Sequence, residues 1–321
     1  DIVGSLLPFN FDYGVNYIFI CLISGATLSI HNFLNATLAW DFCEKNKVTV
    51  LPLMPAILDK FLSTKALLEN KIQSVRLVCS SGGHFRSAFI EFCKNSLPNA
   101  DIMPMYGFSE AFRSTFASME TVQCKPKSVG KGFPGVKIIV VDENFQECSA
   151  NEEGLILHIG GCLSLGYWEN DVATAERFTC VYIDGQSEKS AISGDYGYKD
   201  KAGDLFIVGR RDNQLKRSGM RVNLEQIENH FAKLFKNQSI CVVRLDENVE
   251  GKIVLVFENQ FPHETKKELR RFIRLNSPSE FIPDAIAEFE EFPLLQNLGK
   301  IDRVSLQTFF VGSKEKLNYI I

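Results

Sequence analysis

The sequence has no cysteine pair two residues apart, no His-Glu-x-x-His, no Gly-x-x-x-x-Gly-Lys-Ser/Thr loop and no excess of basic charge. Each absence closes a class. The nine cysteines stand apart, at 21, 43, 79, 93, 124, 148, 162, 180 and 241. That excludes a Cys-x-x-Cys zinc or redox pair and disfavours a disulfide framework; buried, reduced thiols in a cytoplasmic protein are expected. The five histidines show no zinc-type spacing. With 35 basic against 39 acidic residues the net charge is −4, which argues against a nucleic-acid binder driven by phosphate neutralisation. The most apolar stretch, Tyr17 to Ile30, is interrupted by Ser24 and Gly25 and is too short to span a bilayer. No charged n-region precedes an apolar core after Asp1, so no signal peptide is expected. A chain that opens this way is expected to be a fragment of a longer one.

What is present is an ordinary globular composition, 45% hydrophobic and 23% charged over 321 residues. The length suggests about two domains. The first hundred residues alternate strand and helix. Val48–Leu51 is a strand closed by Pro52, Ile57–Leu68 has helical spacing, Val75–Cys79 is a strand, and a helix runs from about Arg86 to Asn95. This order predicts α/β layers with parallel pairing. From about 129 to 208 short strands follow one another (Val136–Val141, Gly154–Ile159, Leu205–Val208), which predicts an antiparallel, barrel-like β module with a hairpin turn at Lys199–Asp204. The texture changes again near Asp212. Asn223 and Gln226 form a capping-box variant before Leu224, Ile227, Phe231 and Leu234. Strands at Ile240–Leu245 and Ile253–Phe257, a charged helix at Glu264–Leu275 and a strand near Ala285–Phe292 complete a small, mobile α+β domain. The expected division is 1–211 and 212–321.

Several polar clusters carry chemistry, each with a bland reading beside it. Gly130–Gly135 fits Gly-x-Gly-x-x-Gly but has β-branched residues after it instead of a helix, so it is a Gly-rich turn rather than a dinucleotide fingerprint. Met105-Tyr106-Gly107-Phe108-Ser109-Glu110 follows a strand; Gly107 allows close approach of a ligand, and a hydroxyl beside a carboxylate could serve a phosphate and Mg²⁺. Equally, Ser109 could cap a helix. Asp195 in Ser193-Gly194-Asp195 could hold ribose hydroxyls, or sit in a turn. The run Gly209 to Arg221 is dense in charge: phosphate-binding arginines, or a solvated face. Gly299-Lys300 could present a cation, or be an exposed turn.

Their order is more informative than any one of them. Ser-Gly-Gly after a strand, then Tyr-Gly-x-Ser-Glu, Ser-Gly-Asp, Gly-Arg-x-Asp-x-Gln-x-Lys-x-x-Gly-x-Arg and a terminal Gly-Lys-Ile-Asp-Arg resembles the adenylate-forming superfamily over the whole chain. The string from Met105 to Thr115 is most similar to AMP-forming acyl-CoA ligases. The resemblance implies that Gly82 and Gly83 line an adenine on which Tyr106 stacks, beside Gly107. It further implies that Ser109 bonds the α-phosphate, Glu110 holds Mg²⁺, and Asp195 binds the ribose with help from Arg210. Asp212 would be a hinge, Lys300 the cation of the adenylation step, Gly219 part of a pantetheine tunnel and Phe11 its aromatic gate.

The implied activity is ATP-dependent conversion of a carboxylic acid, expected to be a fatty acid, to an acyl-adenylate and then to a CoA thioester. The implied cofactors are ATP/AMP, Mg²⁺ and CoA or phosphopantetheine. A rival keeps the chemistry but activates an amino acid for a carrier protein, because Phe11-Asp12 falls where such relatives place an Asp that pairs with the substrate ammonium. A third reading is a non-catalytic short form that binds nucleotide or protein. Three departures stand out. Family members have an N-terminal Ser/Thr/Gly-rich loop ending in Pro-Lys that is not found here, so the chain alone is expected to be a poor catalyst. Asn223 stands where the family usually has Glu. The spacing from Pro293 to Lys300 is one residue longer than usual.

Overall fold

The computed structural model describes residues 1–64, 70–82, 87–183, 185–217, 220–236, 238–245, 252–262, 265–295, 301–313 and 316–319. The chain divides into two compact units, Asp1–Ser193 with Gly197–Ile207, and Gly194–Tyr196 with Val208–Ile321. The sequence places the change at 211/212; the units change at 207/208, and the second also takes three residues of an earlier strand.

The first unit opens with β1 (Ile2–Ser5), α1 (Asp12–Ser24), β2 (Thr27–Ile30), α2 (Ala36–Lys45), β3 (Val50–Leu53), α3 (Pro55–Ser63), β4 (Leu77–Ser80), α4 (Ser87–Ser96) and β5 (Asp101–Phe108). Strands β1 to β5 pair in parallel in the order β2-β1-β3-β4-β5, as alternating strand and helix requires. A hairpin then adds β6 (Ala111–Phe116) and β7 (Lys131–Gly132) antiparallel, with α5 (Met119–Cys124) between them. Trp40, Phe61 and Phe92 interlock as the centre of the core. In α1 the buried side chains are Tyr13, Tyr17 and Cys21 at four-residue spacing, while Leu22 and Ile23 face outward.

Pro52 does not close its strand as expected. The carbonyls of Thr49 and Leu53 bond toward β4, so the alternate residue Pro52 faces β1. There the register is a single pair, Val3 opposite Val50, and the missing N–H removes no ladder bond.

The β module comprises β8 (Val136–Val141), β9 (Gly154–Gly160), α6 (Asp171–Arg177), β10 (Phe178–Ile183), β11 (Gln186–Lys199) and β12 (Leu205–Arg210). Its order is β10-β11-β9-β8 with β12 on β11. Among the described residues the strands form a path that ends in β8 and β10, with β12 branching from β11. The glycines before it answer to geometry, not to a phosphate: a Cβ on Gly130, at φ +76°, would stand 1.7 Å from the carbonyl oxygen of Phe116. Lys125 pins the β11–β12 turn by ion pairs of 2.5 Å to both Asp200 and Asp204.

The second unit contains β13 (Gln214–Arg217), β14 (Met220–Asn223), α7 (Leu224–Leu234), β15 (Ile240–Arg244), β16 (Ile253–Glu258), α8 (Lys266–Asn276), β17 (Ala285–Phe289), α9 (Arg303–Gly312) and β18 (Asn318–Tyr319). The expected capping box is present: Asn223 and Gln226 bond reciprocally at the start of α7. The sheet β15-β16-β17-β18 is covered on both faces. Ile227, Phe231, Leu269 and Ile273 pack on Val242, Leu255 and Phe257, while Leu306 and Phe310 pack on Val243, Val254 and Val256. Burial on both faces explains the unbroken apolar runs of β15 and β16.

All nine cysteines are free, but not all are buried: Cys124, Cys162 and Cys180 are exposed and Cys148 is half-buried. Burial pushes the thiols of Cys43, Cys93 and Cys241 up to about 12. No helix among the described residues is long and apolar enough to cross a membrane.

Candidate functional site

The strand order reverses at β1, which connects to β2 on one side and lies against β3 on the other. In open α/β sheets such a switch point leaves a crevice outside the carboxyl ends of the strands. Phe11 follows β1, Met54 follows β3 and Gly82 follows β4, so all three stand at that edge. They meet there: a Cβ on Gly82 would lie 3.8 Å from the Phe11 ring and from Met54 Cγ. The sequence separates Phe11 and Gly82 by 71 positions and the sheet brings them together. Gly83 lies outside the described residues.

Tyr106 to Glu110 occupy the end of β5 and the turn into β6. The helix-capping alternative for Ser109 is overturned, because Ala111–Phe116 is a strand and Phe108 pairs with Ala111. Its aromatic and β-branched residues suit an antiparallel partner. Tyr106 is half-buried and packs beside Ile138, Val140 and Ile156. Ser109 is exposed. The Glu110 carboxylate accepts from the Tyr167 hydroxyl, and its carbonyl accepts from the Ser164 amide at 2.9 Å. Tyr167 lies 57 positions downstream, and nothing local to it in the sequence signals the contact.

Ser109 and Glu110 supply hard oxygen donors on a solvent-facing turn, which suits a Mg²⁺ ion that keeps water and phosphate oxygens as its other ligands. No group of three His, Cys, Asp or Glu side chains among the described residues gathers at one point, so the protein would supply only part of any such ion's shell.

Gly107 lies close to the strand opposite it. A Cβ there would stand 2.7 Å from the backbone nitrogen of Arg113. The β5–β6 register shifts between Tyr106 and Phe108, and Arg113 opposite adopts φ +66°. This bulge redirects the Arg113 side chain. Its guanidinium lies 4.9 Å from the Tyr13 ring centroid and 5.6 Å from that of Tyr17. It donates to Met105 Sδ at 2.7 Å and Asn16 Oδ1 at 3.4 Å.

Arg113 borders a cavity of about 540 Å³ bounded by α1 and by one side of the first sheet. Asn16, Tyr17 and Ile20 form one wall and Val50, Leu77 and Met103 another. Asp12 lies one turn before Asn16 on α1. Its carboxylate accepts from the Tyr13 amide at 2.7 Å, the one hydrogen bond it makes among the described residues. The Tyr13 hydroxyl donates to the Cys79 carbonyl at 3.1 Å; burial raises its pKa.

In the second unit Asp195 is buried and accepts from Arg210 Nη1 at 3.3 Å. The Arg210 carbonyl in turn accepts from Asn223 Nδ2 at 2.6 Å. A glutamate at 223 could not donate that bond, which gives a physical reason for Asn at this position. Asp212 falls in a 3₁₀ turn, Arg211–Asn213. Gly219 and Lys300 lie outside the described residues. Leu294 bridges Ile301, and the Asp302 amide donates to the Pro293 carbonyl at 2.7 Å. Arg303 then ties α9 to Glu228 and to the Val242 carbonyl, each at 2.8 Å.

A doubly wound sheet with a motif-bearing carboxyl edge, followed by a β module and a small α+β unit, is the fold of acyl-adenylate-forming enzymes. The chain belongs to the AMP-binding enzyme family, whose model matches residues 1–168. It is 27% identical over 313 residues to a D-alanine–D-alanyl carrier protein ligase of Bacillus licheniformis, covering 94% of this chain and 61% of that protein. It is 26% identical over 313 residues to gramicidin S synthase 1 of Brevibacillus brevis, covering 95% of this chain and 27% of that protein. Among solved structures, o-succinylbenzoate CoA synthetase of Bacillus subtilis with its acyl-adenylate intermediate aligns with a TM-score of 0.81. That match has 19% identity and covers 96% of this chain and 60% of that one. The chain thus spans less than two thirds of each of these proteins.

Proposed function

We propose that the protein containing this chain activates an amino acid with ATP and passes it to the phosphopantetheine thiol of a carrier protein. The observation that carries the nucleotide part is the meeting of Phe11, Met54 and Gly82 at the switch-point crevice of an AMP-binding family member. The choice of an amino acid rests on Asp12. Its carboxylate has no cationic partner among the described residues, and it stands one helical turn from a wall of the cavity. An ammonium group there would complete it. The carrier-protein ligase relative supports the same acceptor, whereas the expected fatty acid and CoA find no support in the two relatives described above.

In the first step a carboxylate oxygen attacks the α-phosphorus and the bond to pyrophosphate breaks. In the second the thiol sulfur attacks the acyl carbon and AMP leaves. Mg²⁺ held at Glu110 supplies neutralisation of phosphate charge when bound. Tyr106 stacks on the adenine, Ser109 bonds the α-phosphate, and Asp195 with Arg210 holds the ribose. Lys300 neutralises the two anions that must approach one another, an interaction strongest as charge develops at phosphorus. A hinge at Asp212 withdraws Lys300 and admits the thiol past Gly219 and Phe11.

The apolar cavity walls favour a second reading, in which an acyl chain occupies the cavity and CoA is the acceptor. Pyrophosphate exchange by the full-length protein over a panel of amino acids and fatty acids separates the two. The amino-acid reading expects exchange with an amino acid and its loss in Asp12→Ala. Exchange with octanoate that Asp12→Ala leaves unchanged overturns that reading in favour of the second.

A further inference from the structure

Three charged side chains line the cavity, Asp1, Arg76 and Arg113. Asp1 and Arg76 neutralise each other at 2.5 Å. Arg113 is different. Its contacts are aromatic faces, a thioether and an amide oxygen, and no carboxylate among the described residues pairs with it. A guanidinium keeps its charge at every physiological pH. Taking such a charge out of water against apolar walls is costly unless an anion meets it. Ring faces and Met105 repay part of that cost, and the backbone adopts a left-handed conformation at Arg113 to place the group there.

The position of Arg113 sets the length of its partner. Asp12 and Asn16 are four residues apart on α1, a rise of about 6 Å, and Arg113 reaches Asn16 at 3.4 Å. An amino acid whose ammonium meets Asp12 would extend its side chain past Asn16 and bring an atom two to four bonds beyond its α-carbon to the guanidinium. The geometry points to an acidic α-amino acid as the substrate, its side-chain carboxylate paired with Arg113, an assignment that rests on the amino-acid reading above. Arg113 is then the residue that determines specificity, and Asn16 the residue that orients it.

The test compares aspartate, glutamate and 2-aminoadipate with asparagine, glutamine and norleucine, using the full-length protein. Exchange of pyrophosphate is one readout. Calorimetric binding of the glutamyl and glutaminyl sulfamoyl-adenosine analogues is the other, and needs no turnover. The acidic member of a pair is expected to be favoured about 10–100-fold, the range for a hydrogen bond to a charged group. Arg113→Met should erase that preference and leave nucleotide binding in place, and Arg113→Lys should keep part of it. Equal binding of the two analogues by the unaltered protein overturns the assignment whatever Arg113→Met does to folding. Exchange with neutral but not acidic amino acids overturns it while the activation reading stands. Absence of exchange with every amino acid overturns the activation reading, and the analogue comparison then still decides the role of Arg113.

Discussion

Gly107 and Arg113 face each other across the β5–β6 hairpin so closely that a Cβ on the glycine would lie 2.7 Å from the arginine's backbone nitrogen. The glycine of the Tyr-Gly-Phe-Ser-Glu motif is therefore needed by the protein's own bulge, and the bulge aims a guanidinium into the cavity.

Gly107→Ala should destabilise the first unit by about 1–3 kcal/mol, the usual cost of overpacking where backbone must shift. Urea unfolding measures it. A change of less than about 0.5 kcal/mol, the level of an uneventful surface substitution, would mean that the hairpin accommodates a methyl group and that the Gly107–Arg113 approach is not a constraint.

His158 gives the first unit a pH-dependent stability. Its Nε2 lies 2.6 Å from the Gly161 carbonyl and its Nδ1 2.8 Å from the Ser114 hydroxyl. A carbonyl only accepts, so Nε2 carries the proton and Nδ1 accepts from Ser114. Burial lowers the imidazole's pKa, against the Gly161 bond, which acts to raise it. A histidine lowered in the folded state binds its proton more readily when unfolded. Its contribution is whole above the ordinary value near 6.5 and is lost as pH falls below it. Stability should decline from pH 7.5 to 5.5, and His158→Gln should flatten that slope. His230, whose pKa burial also lowers, lies in the second unit and should give that unit a slope of the same sign. An unaltered slope in His158→Gln rejects the assignment.

Arg303→Met should loosen the second unit. The guanidinium is held by Glu228 and the Val242 carbonyl, and its removal leaves Glu228 half-buried with the Val242 amide but without its cation. The expected loss is about 1–3 kcal/mol, below the range for a fully buried pair because both side chains retain some exposure. Pyrophosphate exchange should fall more than thiolysis of preformed adenylate, since Arg303 anchors the segment that follows Lys300. Equal losses in both half-reactions would assign Arg303 to stability alone.

Lys300→Ala, in the full-length protein, should reduce pyrophosphate exchange by several orders of magnitude while thiolysis of preformed aminoacyl-adenylate survives. Only the first step brings two anions together, so only that step needs the ammonium. If both half-reactions fall together, the division of labour between two states of the second unit is wrong.

Much of the architecture follows from local pattern. The run Val136–Val141 is a strand and Asn223 with Gln226 a capping box because period-two alternation and reciprocal capping are properties of neighbouring residues. The ordered motifs likewise announced the family, since motif spacing is written along the chain. What the sequence could not determine was whatever depends on residues far apart. That Phe11 meets Gly82, that Tyr167 holds Glu110, and that Pro52 sits harmlessly inside a strand were decided by which strands lie side by side. That Arg113 is a cavity residue and not one more charge in a polar string was decided by an irregular hairpin register, in which the three residues Phe112, Arg113 and Ser114 stand against Gly107 alone. Such an irregularity is a property of two strands meeting, and no local signal in either one announces it.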